Sequence, residues 1–182
     1  MKQSGHDDKI TTVRYAVGKT VLGEAMVFMT LRGVCQLRLV DGASSADLLR
    51  DMGKVYRRAS FQQDDIAGKR AFRQVDQWLA GKLRPEQLTL DLRGTQFQQR
   101  VWQELLQVGH GQTCTYSELA GRVGRPRAVR AVASACARNP VGLLVPCHRV
   151  IAKNGKLGGY YWGLEKKQQL LQHERAAAAL GR

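Results

Sequence analysis

The run Leu143-Leu144-Val145-Pro146-Cys147-His148-Arg149-Val150-Ile151 sets a thiol, an imidazole and a guanidinium side by side between two apolar stretches. The flanks ask for burial, yet a core strand has no use for three polar side chains at its centre. A reactive site has. A thiol attacks strongly only as thiolate, which needs a neighbouring cation or base. His148 is the adjacent base, but in an extended segment its side chain points away from that of Cys147. Proton transfer between them then needs a bridging water, and a third group must orient the imidazole. Glu174 is a candidate: it follows Leu171 by three residues and Leu170 by four, so it borders the buried stripe of the last helix. The competing readings are a core histidine bonded to a carbonyl and an ordinary surface glutamate.

The other cysteines, Cys35, Cys114 and Cys136, sit among apolar or small residues, as inert core thiols do. No C-x-x-C spacing occurs, which argues against zinc-ribbon or thioredoxin chemistry. No metal and no cofactor is expected. The polar Met1–Lys9, with two acids, is unlike a signal peptide, and the apolar runs are too short to span a bilayer. A cytoplasmic protein with reduced thiols and no membrane contact is expected.

Charge points to a polyanion. The net charge is +14, and residues 91–182 carry 14 Lys and Arg against 5 Asp and Glu, compared with 15 against 10 in residues 1–90. Between Glu118 and Glu165 there is no acid, yet Arg122, Arg125, Arg127, Arg130, Arg138, Arg149, Lys153 and Lys156 lie there. Phosphates would supply the missing counter-charge; the alternative is a solvated basic face.

The elements that position these residues fall into two parts. Residues 13–17 and 23–40 alternate as strands, the second run a hairpin turning at Arg32-Gly33 and ending at Asp41-Gly42. Ser45 is placed to cap a helix bearing Leu48, Leu49, Met52 and Val55; a second helix spans about 64–80 and stops at Gly81; residues 88–94 read as a further strand. Residues 1–93 are therefore read as an α+β scaffold and residues 94–182 as a mostly helical domain. Thr95 with Gln98, and Thr115 with Glu118, form capping boxes that open two helices of that domain. Gly124-Arg125-Pro126 breaks the chain before a helix at about 127–137, a helix-turn-helix pattern. On that last helix Val129, Val132 and Cys136 share an apolar face, while Arg127, Arg130, Ser134 and Arg138 line the adjacent one. Its alanines at 128, 131, 133, 135 and 137 suit close approach to DNA or tight helix packing. The short alanine run at 176–179 is expected to fray.

The segment "PCHRV" (146–150), preceded by "ARNP" and followed by "GGYYWGLEKKQQLLQHE" (158–174), resembles the O6-alkylguanine-DNA alkyltransferases, and the likeness begins at "GTQFQQRVW" (94–102). The first half resembles the small domain that precedes this one in bacterial adaptive-response members. The resemblance implies an α+β fold, with a ribonuclease-H-like subdomain followed by a mostly helical helix-turn-helix domain. It implies DNA repair by direct reversal, in which a guanine alkylated at O6, or a thymine at O4, is flipped out of the duplex. The alkyl group passes irreversibly to Cys147, with His148, a water and Glu174 activating the thiol. Arg130 would fill the vacated space, Tyr116 would press on the phosphate, and Asn139 would hold the turn before the active site. Backbone groups of Cys147 and Val150 would read the guanine edge, and Tyr160 and Tyr161 would close the pocket. Gln98, Ser117, Arg127 and Lys153 match positions that touch DNA. Double-stranded DNA gripped through its minor groove is the implied partner, with the protein a monomer.

Two positions depart from the family pattern, and a third bears on the size of the pocket. Tyr161 stands where other members have arginine or serine, and Gly142 stands where the residue is often larger or proline. Trp162 occupies a position that can hold glycine, so it is read as a steric gate of the pocket. A module that binds alkylated DNA without repairing it is the alternative function, and Cys147 argues against it. A plain helix-turn-helix regulator would leave "PCHRV" unexplained. No cysteine cluster resembling the zinc-bearing domain of the adaptive-response members is present, so a self-methylating regulator is not expected.

Overall fold

The computed structural model describes residues 12–180; the reading of Met1–Lys9 lies outside the described residues. Strand β1 (Thr12–Thr20) pairs antiparallel with β2 (Gly23–Thr30), and β2 pairs antiparallel with β3 (Gly33–Leu39). After helix α1 (Ser45–Val55) the chain returns as β4 (Ser60–Gln63), parallel to β1, giving the order β3-β2-β1-β4. Helix α2 (Asp65–Leu79) then packs on the sheet. The architecture is the α+β one expected.

Strand β2 is covered on both faces. Ala25, Val27 and Met29 enter the main core, while Met26 and Phe28 join Val13, Cys35, Met52 and Tyr56 in a smaller cluster beneath α1. Two-residue alternation between two apolar layers explains why Ala25 to Thr30 are all buried.

Local chemistry corrects two boundaries. Helix α1 is capped by Ser44, not Ser45, because a capping box needs an acceptor three residues on: Ser44 has Asp47, whereas Ser45 has Leu48. The strand expected at 88–94 shrinks to a single bridge between Leu90 and Val34. The outer edge of β3 is divided between two clients. Val34 N–H donates to Thr89 O, and Asp91 N–H donates back to Val34 O, both at 2.9 Å; further along, Leu37 N–H donates to Pro140 O at 3.0 Å. Buried Asp91 then accepts from Thr30 Oγ1 and from Arg93, which draws the chain away from the edge.

The remaining elements are α3 (Gln96–Leu106), β5 (Cys114–Thr115), α4 (Tyr116–Arg122), α5 (Val129–Ala137), β6 (Val150–Ile151) parallel to β5, and α6 (Leu164–Leu180). Both expected capping boxes are formed, Thr95 with Gln98 and Thr115 with Glu118. Helix α5 starts at Val129 rather than 127, because Pro126 and Arg127 lie in the turn that Ala128 N–H closes onto Arg125 O. The alanine run stays helical to Leu180 instead of fraying; alanine has the highest helix propensity, so nothing local unwinds it. One apolar cluster runs from the sheet and α2 through α3, α4 and α5 to Leu170, so the sheet and the helices share a core. Within it Trp102 donates its indole N–H to Ala135 O at 3.0 Å, tying α3 beneath α5.

Helix α2 lies on β1 through Gly68, where an added Cβ would sit 2.1 Å from Ala16 Cβ. Neither partner is the far end of a flexible side chain, so Gly68→Val must lift the helix off the sheet. We expect a loss of about 2–3 kcal/mol, read as a lower urea midpoint with unchanged slope. A midpoint at or above that of the wild type would show that the helix moves freely.

Candidate active site at the seam of sheet and helices

The approach to Cys147 is a buried loop. Val141 to Pro146 are all buried, and Leu143 adopts a left-handed φ of 70°, a conformation that costs a non-glycine residue of order 1–3 kcal/mol and persists only where packing enforces it. Residues 147–149 are not extended as expected but form a 3-10 turn, and the strand resumes only at β6. Pro146 has no N–H to give a ladder, and Cys147 N–H donates to Val145 O while Arg149 N–H donates to Pro146 O, closing the turn. The side chains of Cys147 and His148 therefore diverge by about a third of a turn rather than pointing to opposite faces.

Asn139 organises this turn. Its amide nitrogen donates to Val145 O at 2.7 Å and to Cys147 Sγ at 3.2 Å, and its Oδ1 accepts from Val141 N–H at 3.0 Å. Burial raises the Cys147 thiol above its ordinary value, against the Asn139 hydrogen bond and the Lys167 charge, which lower it. At rest the sulfur keeps its proton.

Behind the thiol, His148, Arg149 and Glu174 are wholly buried. His148 Nε2 lies 2.9 Å from Glu174 Oε1, and Arg149 grips both carboxylate oxygens at 2.8–3.2 Å. Burial raises the Glu174 carboxyl, but the hydrogen bonds and charges of His148 and Arg149 outweigh it and hold the pKa at about 2. An ionised carboxylate only accepts, so His148 Nε2 carries the proton and Nδ1 presents a lone pair. Nδ1 has no hydrogen-bond partner among the described residues. Desolvation lowers the His148 pKa despite its hydrogen bond to Glu174, and with Arg149 already balancing that carboxylate the imidazole is neutral, with Nδ1 open to accept a proton. Among the described residues no His, Cys, Asp or Glu cluster is placed to hold a metal ion.

Sequence reasoning missed two members of this cluster. Arg149 stood out as a neighbour of Cys147 and His148 but was given no role there, yet its guanidinium also donates to Val108 O and stacks 5.0 Å from the Trp78 ring of α2. Lys167 is fully buried and donates to Val150 O at 2.6 Å, to Leu157 O and to Gly159 O. Its signal was legible: Lys167, Leu170, Leu171 and Glu174 form one helical stripe that runs a turn further back than the leucines alone suggest. Val150 O, expected to read a guanine edge, thus already accepts one hydrogen bond and keeps its second lone pair.

The pocket over Cys147 is lined by Cys136, Ala137, Asn139, Gly142, Tyr160, Tyr161 and Trp162 and encloses only about 20 Å³, about the room of a single water. Tyr160 packs edge-on against Trp162, with ring centroids 5.7 Å apart, and Trp162 against Tyr161 at 6.4 Å. The Trp162 ring fills the space beside Gly142, where an added Cβ would meet it at 2.3 Å. Glycine at 142 therefore seats the indole. Tyr160 Oη is buried without a hydrogen-bond partner among the described residues, and burial keeps the phenol protonated. Tyr116 lies against the glycine ledge at 158–159, with Oη 3.5 Å from Gly159 O, and burial pushes its pKa up to about 12.

The outward face is basic and small. Arg130, Ala131 and Ala137 are exposed on α5, and Arg138 is exposed just after it. Arg127 is exposed in the turn before the helix, Ser117 in the first turn of α4, and Lys153 after β6. Gln98 spends its side-chain oxygen on the Thr95 N–H of the α3 cap.

Fold and site define a class: a helix-turn-helix protein with a thiol beside a buried histidine–glutamate pair where its helices meet its sheet. Comparison with known proteins narrows this. The family model described as 6-O-methylguanine DNA methyltransferase, DNA binding domain, matches residues 96–176. The chain is 42% identical over 144 residues to the methylated-DNA–protein-cysteine methyltransferase of Mycobacterium tuberculosis, covering 78% of this chain and 87% of that protein. It is 40% identical over 173 residues to the bifunctional transcriptional activator/DNA repair enzyme Ada of Escherichia coli, covering 95% of this chain and 48% of that protein. The chain thus spans about half the length of the Ada relatives it matches. The crystal structure of Mycobacterium tuberculosis OGT in complex with DNA superposes with a TM-score of 0.73 at 34% identity, covering 90% of this chain and 94% of that one. The O6-methylguanine-DNA methyltransferase of Pyrococcus kodakaraensis gives 0.66 at 28% identity, covering 90% and 99%. The chain belongs to the methylated-DNA–protein-cysteine methyltransferase family. Among the described residues no helix is long and apolar enough to cross a membrane.

The buried cluster predicts acid sensitivity. Glu174 and His148 both have lowered pKa values in the fold, so each stabilises it above its unfolded pKa and loses that contribution as pH falls. The His148 part is lost below about 6.5, and the Glu174 part between 4.5 and about 2. Glu174→Gln leaves Arg149 buried without a counter-charge, and we expect it to cost roughly 3–5 kcal/mol at pH 7 and to flatten the acid decline between pH 4.5 and 2. Urea titrations across pH measure both; an undiminished decline in the variant would assign it to other carboxylates.

Proposed function

We propose that this protein repairs DNA by direct reversal, moving the alkyl group from O6 of guanine, and from O4 of thymine as a second substrate, onto Cys147 in a single turnover. The observation that carries this reading is the Asn139-held thiol lying beside a neutral histidine whose Nε2–H is fixed on Glu174. The thiol proton passes through a water to His148 Nδ1, and Glu174 stabilises the imidazolium that results. The sulfur attacks the alkyl carbon. The carbon–oxygen bond breaks with its electron pair staying on the base, and an S-alkylcysteine remains. A thioether has no ready route back to the thiol, which makes the reaction stoichiometric. The Tyr160 hydroxyl, protonated and unpartnered, donates to the departing base. Tyr161 helps close the pocket, and the backbone of Cys147 and Val150 reads the base edge.

A base within a duplex cannot reach a buried thiol, so it must be flipped out. The exposed Arg130 enters the vacated stack, while Tyr116 presses on the neighbouring phosphate. Arg127, Ser117, Lys153 and Gln98 grip the backbone, which sets position rather than sequence preference. The exposed alanines beside Arg130 allow the close approach that minor-groove binding needs. The protein acts as a monomer.

The direct test is incubation with duplex DNA containing O6-methylguanine, followed by peptide mass mapping. One methyl is expected on the peptide holding Cys147, and Cys147→Ala abolishes transfer while retaining DNA binding. Methylation spread over Cys35, Cys114 or Cys136, or none at all, would overturn the reading.

The Trp162 indole on Gly142 leaves no room for a large alkyl group, and packed walls yield little to overfilling. Efficient methyl transfer with slow inactivation by free O6-benzylguanine is expected, and a folded Trp162→Gly variant reacts at least tenfold faster with the benzyl compound. A variant no faster than wild type would make Trp162 an anchor for α6 instead of a gate.

A further inference from the structure

The sheet half reaches the pocket at one place. Leu37 and Arg38 are neighbours on β3, and they contact opposite walls of the pocket above Cys147. The Leu37 N–H donates to Pro140 O at 3.0 Å, and Leu37 bridges Val141, which fixes the wall containing Asn139 and Gly142. The Arg38 guanidinium lies 5.8 Å from the centroid of the Tyr161 ring, with Nη1 3.4 Å from Tyr161 Oη. Tyr161 is otherwise 68% exposed, so little else on this side of the ring restrains it. Its other edge meets Trp162, which meets Tyr160.

We propose that Arg38 is a positioning residue: from the edge of β3 it holds the Tyr161–Trp162–Tyr160 wall against the Asn139–Gly142 wall, and so sets the size of group that reaches Cys147. The proposal rests on the reading of Cys147 as the alkyl acceptor. A pocket of about 20 Å³ admits a base only if one wall moves. The Asn139–Gly142 wall is tied by backbone hydrogen bonds to β3 and by Asn139 to the thiol turn. The aromatic wall is held at its exposed end by a single cation over a ring, a contact of the weaker kind that opens and closes readily. Size selection would then arise in the half of the molecule that carries none of the chemistry.

The experiment compares wild type, Arg38→Ala and Arg38→Lys for the rate at which Cys147 is alkylated by duplex oligonucleotides carrying O6-methylguanine or O6-benzylguanine. The benzyl-to-methyl rate ratio is expected to rise at least threefold in Arg38→Ala and to return toward the wild-type value in Arg38→Lys, which restores a cation over the ring. A purely structural loss would slow both substrates alike and leave the ratio fixed. Loss of a phosphate contact by Arg38 would do the same while making the salt dependence shallower. Either result overturns the proposal. A second measurement does not depend on repair: the ratio of Cys147 labelling by a bulky aromatic maleimide to labelling by iodoacetamide, peptide-mapped, rises in Arg38→Ala. If wild-type Cys147 accepts no alkyl group from DNA while the labelling ratio still rises, the repair reading fails and the positioning role stands. An unchanged labelling ratio removes the positioning role whatever the repair assay shows.

Discussion

Everything at this site depends on one buried carboxylate. Glu174 brings a negative charge from α6 into the interior, where an isolated charge is prohibitively costly, and so it must be met there. Arg149 meets it through two oxygens and at the same time touches Val108 after α3 and Trp78 on α2. Four parts of the chain thus converge on a single ion pair. The pair does not have to add stability over an apolar core of the same shape. It forbids alternatives: α6 cannot slide or rotate without stranding Arg149, and the 3-10 turn cannot unwind without stranding Glu174. His148 and the Gly111 N–H also bond the carboxylate, so the tautomer of His148 is set by the same constraint that sets the fold.

Lys167 repeats the device one helical layer away. Its buried ammonium gathers the carbonyls of Val150, Leu157 and Gly159, pinning the loop that carries Tyr160, Tyr161 and Trp162 to the end of β6. Two charged residues of α6, seven positions apart and on one face, therefore hold the two sides of the pocket: Glu174 the thiol turn, Lys167 the aromatic loop. Burial lowers the Lys167 pKa, and the charge it retains favours the thiolate. A helix that reads as a surface amphipath is in fact the backing plate of the site.

Much of this was legible in the sequence wherever a residue's local partner decides its place. The capping boxes at Thr95 and Thr115, the break at Gly124 to Pro126 and the two-residue alternation of β2 depend on neighbours a few positions away. The strand expected at 88–94 failed for the opposite reason, because β3 gives only part of its edge to that segment and the rest to residues 140–141. No local pattern records such sharing. The helix start at 127 and an extended conformation at Cys147-His148 failed because backbone closures within short turns overrode side-chain periodicity. Arg149 and Lys167 were hidden by a prior that is usually sound: basic residues in a basic protein lie on the surface. Only the apolar company each keeps, Val150-Ile151 and Leu170-Leu171, marked them as exceptions.

On the reading of Cys147 as the alkyl acceptor, the electrostatics of the thiol suit a protein that acts once. A cysteine with a permanently depressed pKa would react with any passing electrophile, and each such event would consume the molecule. Here burial raises the Cys147 thiol while its base is kept neutral, and the pocket is too small for anything but water. On the proposed route, proton transfer to His148 creates an imidazolium held against an ionised Glu174, and the charge on the sulfur passes to the departing base as the new bond forms. The thiolate therefore has a lasting fate only when there is an alkyl group to attack.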